Sequence, residues 1–268
     1  MSRESARRRR TEELLAYDLA VCAWIEGGAA GSREGGEIPF DVPPAQVSDP
    51  VHSPRPNLRL AGFDEAGRGA LAGPVVVACV HLDLARAVRR VSCSDLVEHL
   101  CGVDDSKRLS PGRRERLYER IVERAAWGIG SCPACDIDRL GIVAACRAAA
   151  ARAYRNLGIH VGAGIFDRGL SLRRAGTIAH EVAGPPIEVT ATRADALSLH
   201  VAAASILAKV SRDRMMCRLA ERYEGFALER HKGYGTVAHR EAIRALGPTR
   251  IHRRTFLRPA ESAKSQSC

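Results

Sequence analysis

Gly62-Phe63-Asp64-Glu65-Ala66-Gly67-Arg68-Gly69-Ala70-Leu71-Ala72-Gly73-Pro74 is the stretch on which the reading of this chain turns. Residues 60–64 read as a strand, and residues 75–80, β-branched and nearly all apolar, read as a second and buried one. Two adjacent carboxylates at a strand end, before a glycine-rich turn, are a poor structural choice. They repel, and neither can be buried without partners. Asp167 stands in the same setting, closing the apolar run Ala163-Gly164-Ile165-Phe166. Asp195 precedes an apolar helix, whose dipole is expected to favour the ionised carboxylate. Four such acids, three at strand ends and one before a buried helix, point to a hard-cation site, and oxygen ligands with open positions favour Mg2+ or Mn2+.

Outward from this stretch the pattern predicts an α/β sheet of mixed direction, with an early hairpin and later strands alternating with helices. Pro111 opens a helix in which Leu117, Ile121, Val122 and Ala125 recur at helical spacing. Residues 127–132 read as a short strand, 136–157 as one long alanine-rich helix, and 164–167 and 187–190 as strands. Residues 196–223 read as a helix with an apolar first half, and 237–246 as a last helix. Residues 1–57 read as an N-terminal extension. It holds a helix over 11–25 capped by Thr11, preceded by a solvated basic run Arg7 to Arg10 and followed by a flexible Gly/Pro-rich linker. Residues 58–259 read as one compact domain and 260–268 as a disordered tail.

Composition narrows the partners. With Lys+Arg 41 against Asp+Glu 31, the net charge of +10 suits a polyanion, because each neutralised phosphate releases counterions. Almost all of that positive charge is arginine. The lysines are Lys107, Lys209, Lys232 and Lys264, and a lysine kept in so arginine-rich a chain calls for a compact, flexible point charge. No apolar stretch reaches the roughly 20 residues that cross a bilayer. Nine cysteines without a framework spacing, and an N-terminus without a secretory pattern, indicate a reducing cytoplasm. Cys132-Pro-Ala-Cys135 lacks the second pair a zinc site needs and reads as two incidental loop cysteines.

The opening stretch resembles the signature of type 2 ribonuclease H (ribonuclease HII), in its bacterial form. The likeness continues through Asp104-Asp105-Ser106-Lys107-Arg108-Leu109-Ser110 and Ala202-Ala203-Ala204-Ser205-Ile206-Leu207-Ala208-Lys209-Val210-Ser211-Arg212-Asp213. It then takes in His231-Lys232-Gly233-Tyr234-Gly235-Thr236 and Gly247-Pro248-Thr249-Arg250-Ile251-His252-Arg253-Arg254-Thr255-Phe256, in order across residues 58–259.

The resemblance implies a ribonuclease H-like fold: a mixed five-stranded sheet flanked by helices, with a helical C-terminal part. It implies an endonuclease that cleaves the RNA strand of RNA–DNA hybrids and incises 5′ to ribonucleotides embedded in duplex DNA. Such an enzyme removes misincorporated ribonucleotides and RNA primers. The family carboxylates map onto Asp64, Glu65, Asp167 and Asp195, the last at the required distance before Ser205. They are expected to hold two divalent ions, Mn2+ or Mg2+, about 4 Å apart, and to leave 5′-phosphate and 3′-hydroxyl ends. Gly67, Arg68 and Gly69 are expected to read the 2′ hydroxyl through the backbone, Tyr234 to pack on the neighbouring deoxyribose, and Lys107, Ser205 and Lys209 to lie along the substrate. A monomer without membrane contact is expected; a replication clamp is compatible as a partner, though no residue of the sequence specifies one.

Three departures stand out. Arg168 follows Asp167 where the family usually has Gly, Ser198-Leu199 replaces a Tyr-Pro after Asp195, and the N-terminal extension is long. The rivals are a type 3 ribonuclease H, for which residues 1–57 are too short and too rich in Gly and Pro to supply the added domain, and an inactive hybrid-binding protein.

Overall fold

A computed structural model describes residues 2–26, 58–84, 93–172 and 184–259. The linker expected after the first helix and the C-terminal tail, with Lys264, lie outside these residues.

Strands β1 (Leu60–Ala66), β2 (Val75–Leu82), β3 (Ala125–Cys132), β4 (Ala163–Asp167) and β5 (Ile187–Ala191) form one sheet in the order β3-β2-β1-β4-β5. β1 pairs antiparallel with β2 and β2 with β3, whereas β1–β4 and β4–β5 are parallel. This is the mixed five-stranded sheet expected. Along the strands alternate residues go to opposite layers. Leu60, Ala66, Ala78, Val80 and Ile165 enter one core cluster; Ala61, Phe63, Val77, Cys79 and Phe166 enter the other.

The first layer is covered by α1 (Arg3–Glu26), α3 (Pro111–Arg124) and α6 (Leu199–Arg222), with the short α2 (Cys93–His99) beside them. The second is covered by α4 (Ala134–Leu140) and α5 (Ile142–Leu157). Small residues set the spacing there, because a Cβ on Gly130 would lie 2.0 Å from the Ala149 carbonyl oxygen of α5. A third, smaller cluster of Leu71, Met216, Phe226, Leu228 and Ile243 joins α7 (Leu228–His231) and α8 (Val237–Leu246) to the end of α6.

Several local expectations need correction. The long alanine-rich helix is two, because Gly141 at φ +78° ends α4 and starts α5, a conformation that residues with a Cβ rarely adopt. Cys132 closes β3 and Cys135 lies in α4, so neither is a loop cysteine. Thr11 caps no helix: α1 begins at Arg3, and the Thr11 hydroxyl donates back to the Arg7 carbonyl at 3.1 Å. The basic run is helical, with Arg8 and Arg9 paired to Glu12 and Glu13 one turn on. Nor is α1 an appendage, since Leu14, Leu15, Leu19, Val21, Cys22 and Ile25 belong to the first core cluster.

Candidate active site

The sheet register brings the acids together. The parallel register that pairs Phe63 with Phe166 sets the next residues, Asp64 and Asp167, side by side at one rim. Asp167 Oδ1 accepts a hydrogen bond from the Ala194 backbone N–H at 3.0 Å, which ties the end of β4 to a 3-10 turn (Ala194–Ala196) carrying Asp195. A second 3-10 turn (Ser106–Arg108) comes in from the other side. Its Asp105 accepts from the Lys107 N–H at 2.9 Å, and the Ser106 N–H donates to the Ser205 hydroxyl at 3.2 Å. Lys107 Nζ then lies 3.8 Å from Asp195 Oδ2. Glu65, on the opposite face of β1, turns toward Arg68 at 3.3 Å.

The electrostatics are those of crowded anions. Burial pushes the Asp64 carboxyl well above the carboxylate range, and the charges of Glu65, Asp195 and Asp167 push it further. Burial likewise raises Glu65 against the opposing pull of Arg68. Asp195 rises to about 6 through burial and then Asp105, which also shares a hydrogen bond with it. The expectation that a helix dipole would favour ionised Asp195 is therefore overturned. α6 begins only at Leu199, capped by the Ser198 hydroxyl, which accepts from the Val201 N–H at 3.2 Å, so Asp195 lies outside the first turn where the dipole acts. Lys107 answers this field: partial burial pulls its ammonium down, and Asp195, Asp105, Asp64 and Asp167 outweigh that and raise it.

Glu65 Oε2 is buried without a hydrogen-bond partner. An orphaned carboxylate oxygen among acids that repel one another is the donor set a hard cation satisfies. Among the described residues no three Asp, Glu, His or Cys side chains gather tightly enough to grip an ion as they stand.

Beside the acids the turn Gly67 to Pro74 is held from beneath by two fully buried arginines. Arg253 Nη1 donates to the Arg68 carbonyl at 2.8 Å and its Nε to that of Gly73 at 3.1 Å. Arg212 donates to the carbonyls of Pro74, Lys232 and Ala72 at 2.9, 2.9 and 3.1 Å. Its guanidinium also lies 5.3 Å from the centre of the Tyr234 ring, which is half exposed. Gly69 has open space where a Cβ would go. Lys209 forms an ion pair with Asp213 at 2.7 Å and lies 5.8 Å from the Tyr234 ring centre.

Sequence reasoning missed the roles of Arg212, Arg253 and Asp105. Arg212 carried a signal, because it follows Ser205 by seven residues and so falls on the buried face of α6. Arg168 is exposed, and the turn it opens relies on Gly169 at φ +92°.

A five-stranded sheet of this order, with acids from β1 and β4 and from the turn before α6 gathered at one rim, defines the ribonuclease H-like class. The family model for ribonuclease HII matches residues 61–259. The ribonuclease HII of Thermus thermophilus is 42% identical over 216 residues, covering 80% of this chain and 94% of that protein. Among solved structures, ribonuclease H2 from Pyrococcus horikoshii OT3 is similar with a TM-score of 0.61 at 27% identity, covering 76% of this chain and 97% of that one. The Archaeoglobus fulgidus ribonuclease HII, solved as a complex with PCNA, gives 0.57 at 30% identity, covering 73% and 94%. The chain belongs to the ribonuclease HII family and is a ribonuclease H enzyme.

Proposed function

We propose that this enzyme cleaves the RNA strand of RNA–DNA hybrids and incises duplex DNA on the 5′ side of embedded ribonucleotides, leaving 5′-phosphate and 3′-hydroxyl ends. One observation supports the reading above all: Asp64, Asp167 and Asp195 converge, with the proton affinity of Asp64 and Asp195 raised, beside a clamped glycine turn. Asp64, Glu65, Asp167 and Asp195 would hold two divalent ions, Mg2+ or Mn2+. When bound, these ions supply an activated water and stabilise the leaving 3′ oxygen.

The remaining work belongs to the chain. Lys107 projects to solvent with 84% of its side chain exposed, next to the acids, and would meet a phosphate oxygen there. The backbone of Gly67, Arg68 and Gly69 would read the 2′ hydroxyl, the one local difference between RNA and DNA. The Tyr234 ring would pack against the neighbouring deoxyribose. Ser205 is 2% exposed and its hydroxyl holds the Lys107 turn, so its part is to position that turn. Lys209 would steady the backbone from its pair with Asp213.

The biological role that fits is removal of misincorporated ribonucleotides and RNA primers by a monomer in the cytoplasm. No described helix is long and apolar enough to cross a membrane. The complex with PCNA formed by the Archaeoglobus relative supports a replication clamp as partner.

The test is a DNA duplex with one ribonucleotide, incubated with the protein in Mg2+ and separately in Mn2+, beside Asp64→Asn and an all-DNA duplex. Incision 5′ to the ribonucleotide is expected from the native chain alone. Binding without incision in either metal would overturn the reading in favour of an inactive binder, and Arg168→Gly would then be tried.

A further inference from the structure

We infer that helix α1 braces the active site, and that Arg10 is the positioning residue through which it holds the Asp195 turn against the segment that carries Lys107. The inference rests on the reading of Asp195 as a cation ligand.

The arginine run divides by environment. The side chains of Arg8 and Arg9 are 51% and 69% exposed, whereas that of Arg10 is 28% exposed and turned inward. Arg10 Nη2 donates to the Ala196 carbonyl at 2.6 Å, one residue beyond Asp195. Its Nε lies 3.4 Å from Asp104 Oδ1, one residue before Asp105, and Nη1 reaches Glu13 in its own helix at 3.4 Å. One guanidinium thus spans the two segments whose side chains meet as Lys107 and Asp195.

The rest of α1 repeats the pattern. The Thr11 hydroxyl accepts from the Gly102 N–H at 3.1 Å, just upstream of Asp104. Asp18, fully buried, accepts from the His200 N–H at 3.1 Å and pairs with the His200 ring at 2.7 Å, downstream of Asp195. These polar contacts from α1, to residues 102–104 and 196–200, therefore fall just before or just after the residues that face the acids. A helix that only covered apolar surface would need none of them. α1 also lies outside residues 61–259, the span the family model matches.

A brace of this kind acts by spacing. Misplacement of a reacting group by about 1 Å costs on the order of 100-fold in rate. Losing Arg10 frees the Asp195 turn to drift from Asp64 and Asp167 while leaving the substrate surface intact.

The experiment compares the full chain with Arg10→Met, Arg10→Lys and, as control for the packing of α1, Leu15→Ala. Each is assayed on the single-ribonucleotide duplex well below its melting temperature, and Mn2+ binding to the metal-free protein is measured by calorimetry. Arg10→Met is expected to lower kcat about 10-fold or more with KM within about twofold, and to weaken Mn2+ binding several-fold. Arg10→Lys is expected to recover part of both. Leu15→Ala is expected to lower the melting temperature without moving either quantity. Native Mn2+ affinity and kcat in Arg10→Met overturn the brace, as does an equal loss of both in Leu15→Ala. A native chain that neither takes up Mn2+ nor incises overturns the proposed function itself, so the two failures are told apart.

Discussion

The side chain of Arg212 fills the place where a Cβ on Gly67 would stand: that atom would lie 1.9 Å from the Arg212 Nε. Gly67 also sits at φ +88°, so strain and collision act together. Arg212 cannot step aside, because its three carbonyl acceptors are all in the site loops and it is fully buried. Gly67→Ala is expected to destabilise the fold by about 3 kcal/mol or more. Denaturant unfolding measures it, and a loss under about 0.5 kcal/mol would show that the arginine is free to move.

Gly69 stands in contrast. Nothing lies within 4 Å of where its Cβ would be, so the protein itself tolerates a methyl group there. If the turn receives the sugar, that space belongs to the substrate. Gly69→Ala is expected to keep the unfolding free energy within about 0.5 kcal/mol while cutting kcat/KM on the single-ribonucleotide duplex about 10-fold or more. Full activity in a stable Gly69→Ala would remove the turn from substrate contact.

The acid cluster is expected to make the stability of the metal-free protein depend on pH. The folded-state pKa of Asp195 is raised to about 6, above its usual 3.8, so the folded chain holds this proton more tightly than the unfolded one. The folded state is therefore penalised as pH rises from about 4 through 6, and Asp64, raised as well, adds in the same direction. Asp195→Asn is expected to melt several degrees above the native chain at pH 8 without metal, and at the same temperature near pH 4. Mg2+ or Mn2+ should raise the native melting temperature at pH 8 more than the variant's, and incision should fall as pH drops below about 6. Equal melting at both pH values would mean that Asp195 carries no burden of repulsion.

Tyr234 is gripped by the face of its ring rather than by its hydroxyl, with Arg212 at 5.3 Å and Lys209 at 5.8 Å from the ring centre. Tyr234→Phe keeps the ring and is expected to retain kcat/KM within about threefold, whereas Tyr234→Ala is expected to lose about 10-fold or more, mainly in KM. If Phe and Ala lose equally, the hydroxyl and not the ring is what the substrate needs.

The sheet and the family are legible in the order of residues. Short β-branched apolar runs bounded by turn signals favour buried strands, and carboxylates beside a glycine turn have few structural uses. Periodicity placed α3 and α8, because each shows an apolar stripe to one side. It missed the break at Gly141, because alanine fits a helix with or without it. It also left the turn Ser106–Arg108 unread, because a 3-10 turn of three residues has no period to detect.

What each charge does depends instead on packing between distant segments. Arg212 and Arg253 look like surface cations in a basic chain, yet both are buried under carbonyl oxygens distant in sequence. Asp195 looked favoured as an anion and is disfavoured, because it is buried and then faces Asp105 and Asp167 from other elements. Arg10 looked like one of four solvated arginines until the Ala196 carbonyl, 186 residues away along the chain, came within 2.6 Å. Burial and charge partners are relations between elements, and local pattern carries residue type and period but no information about what packs opposite.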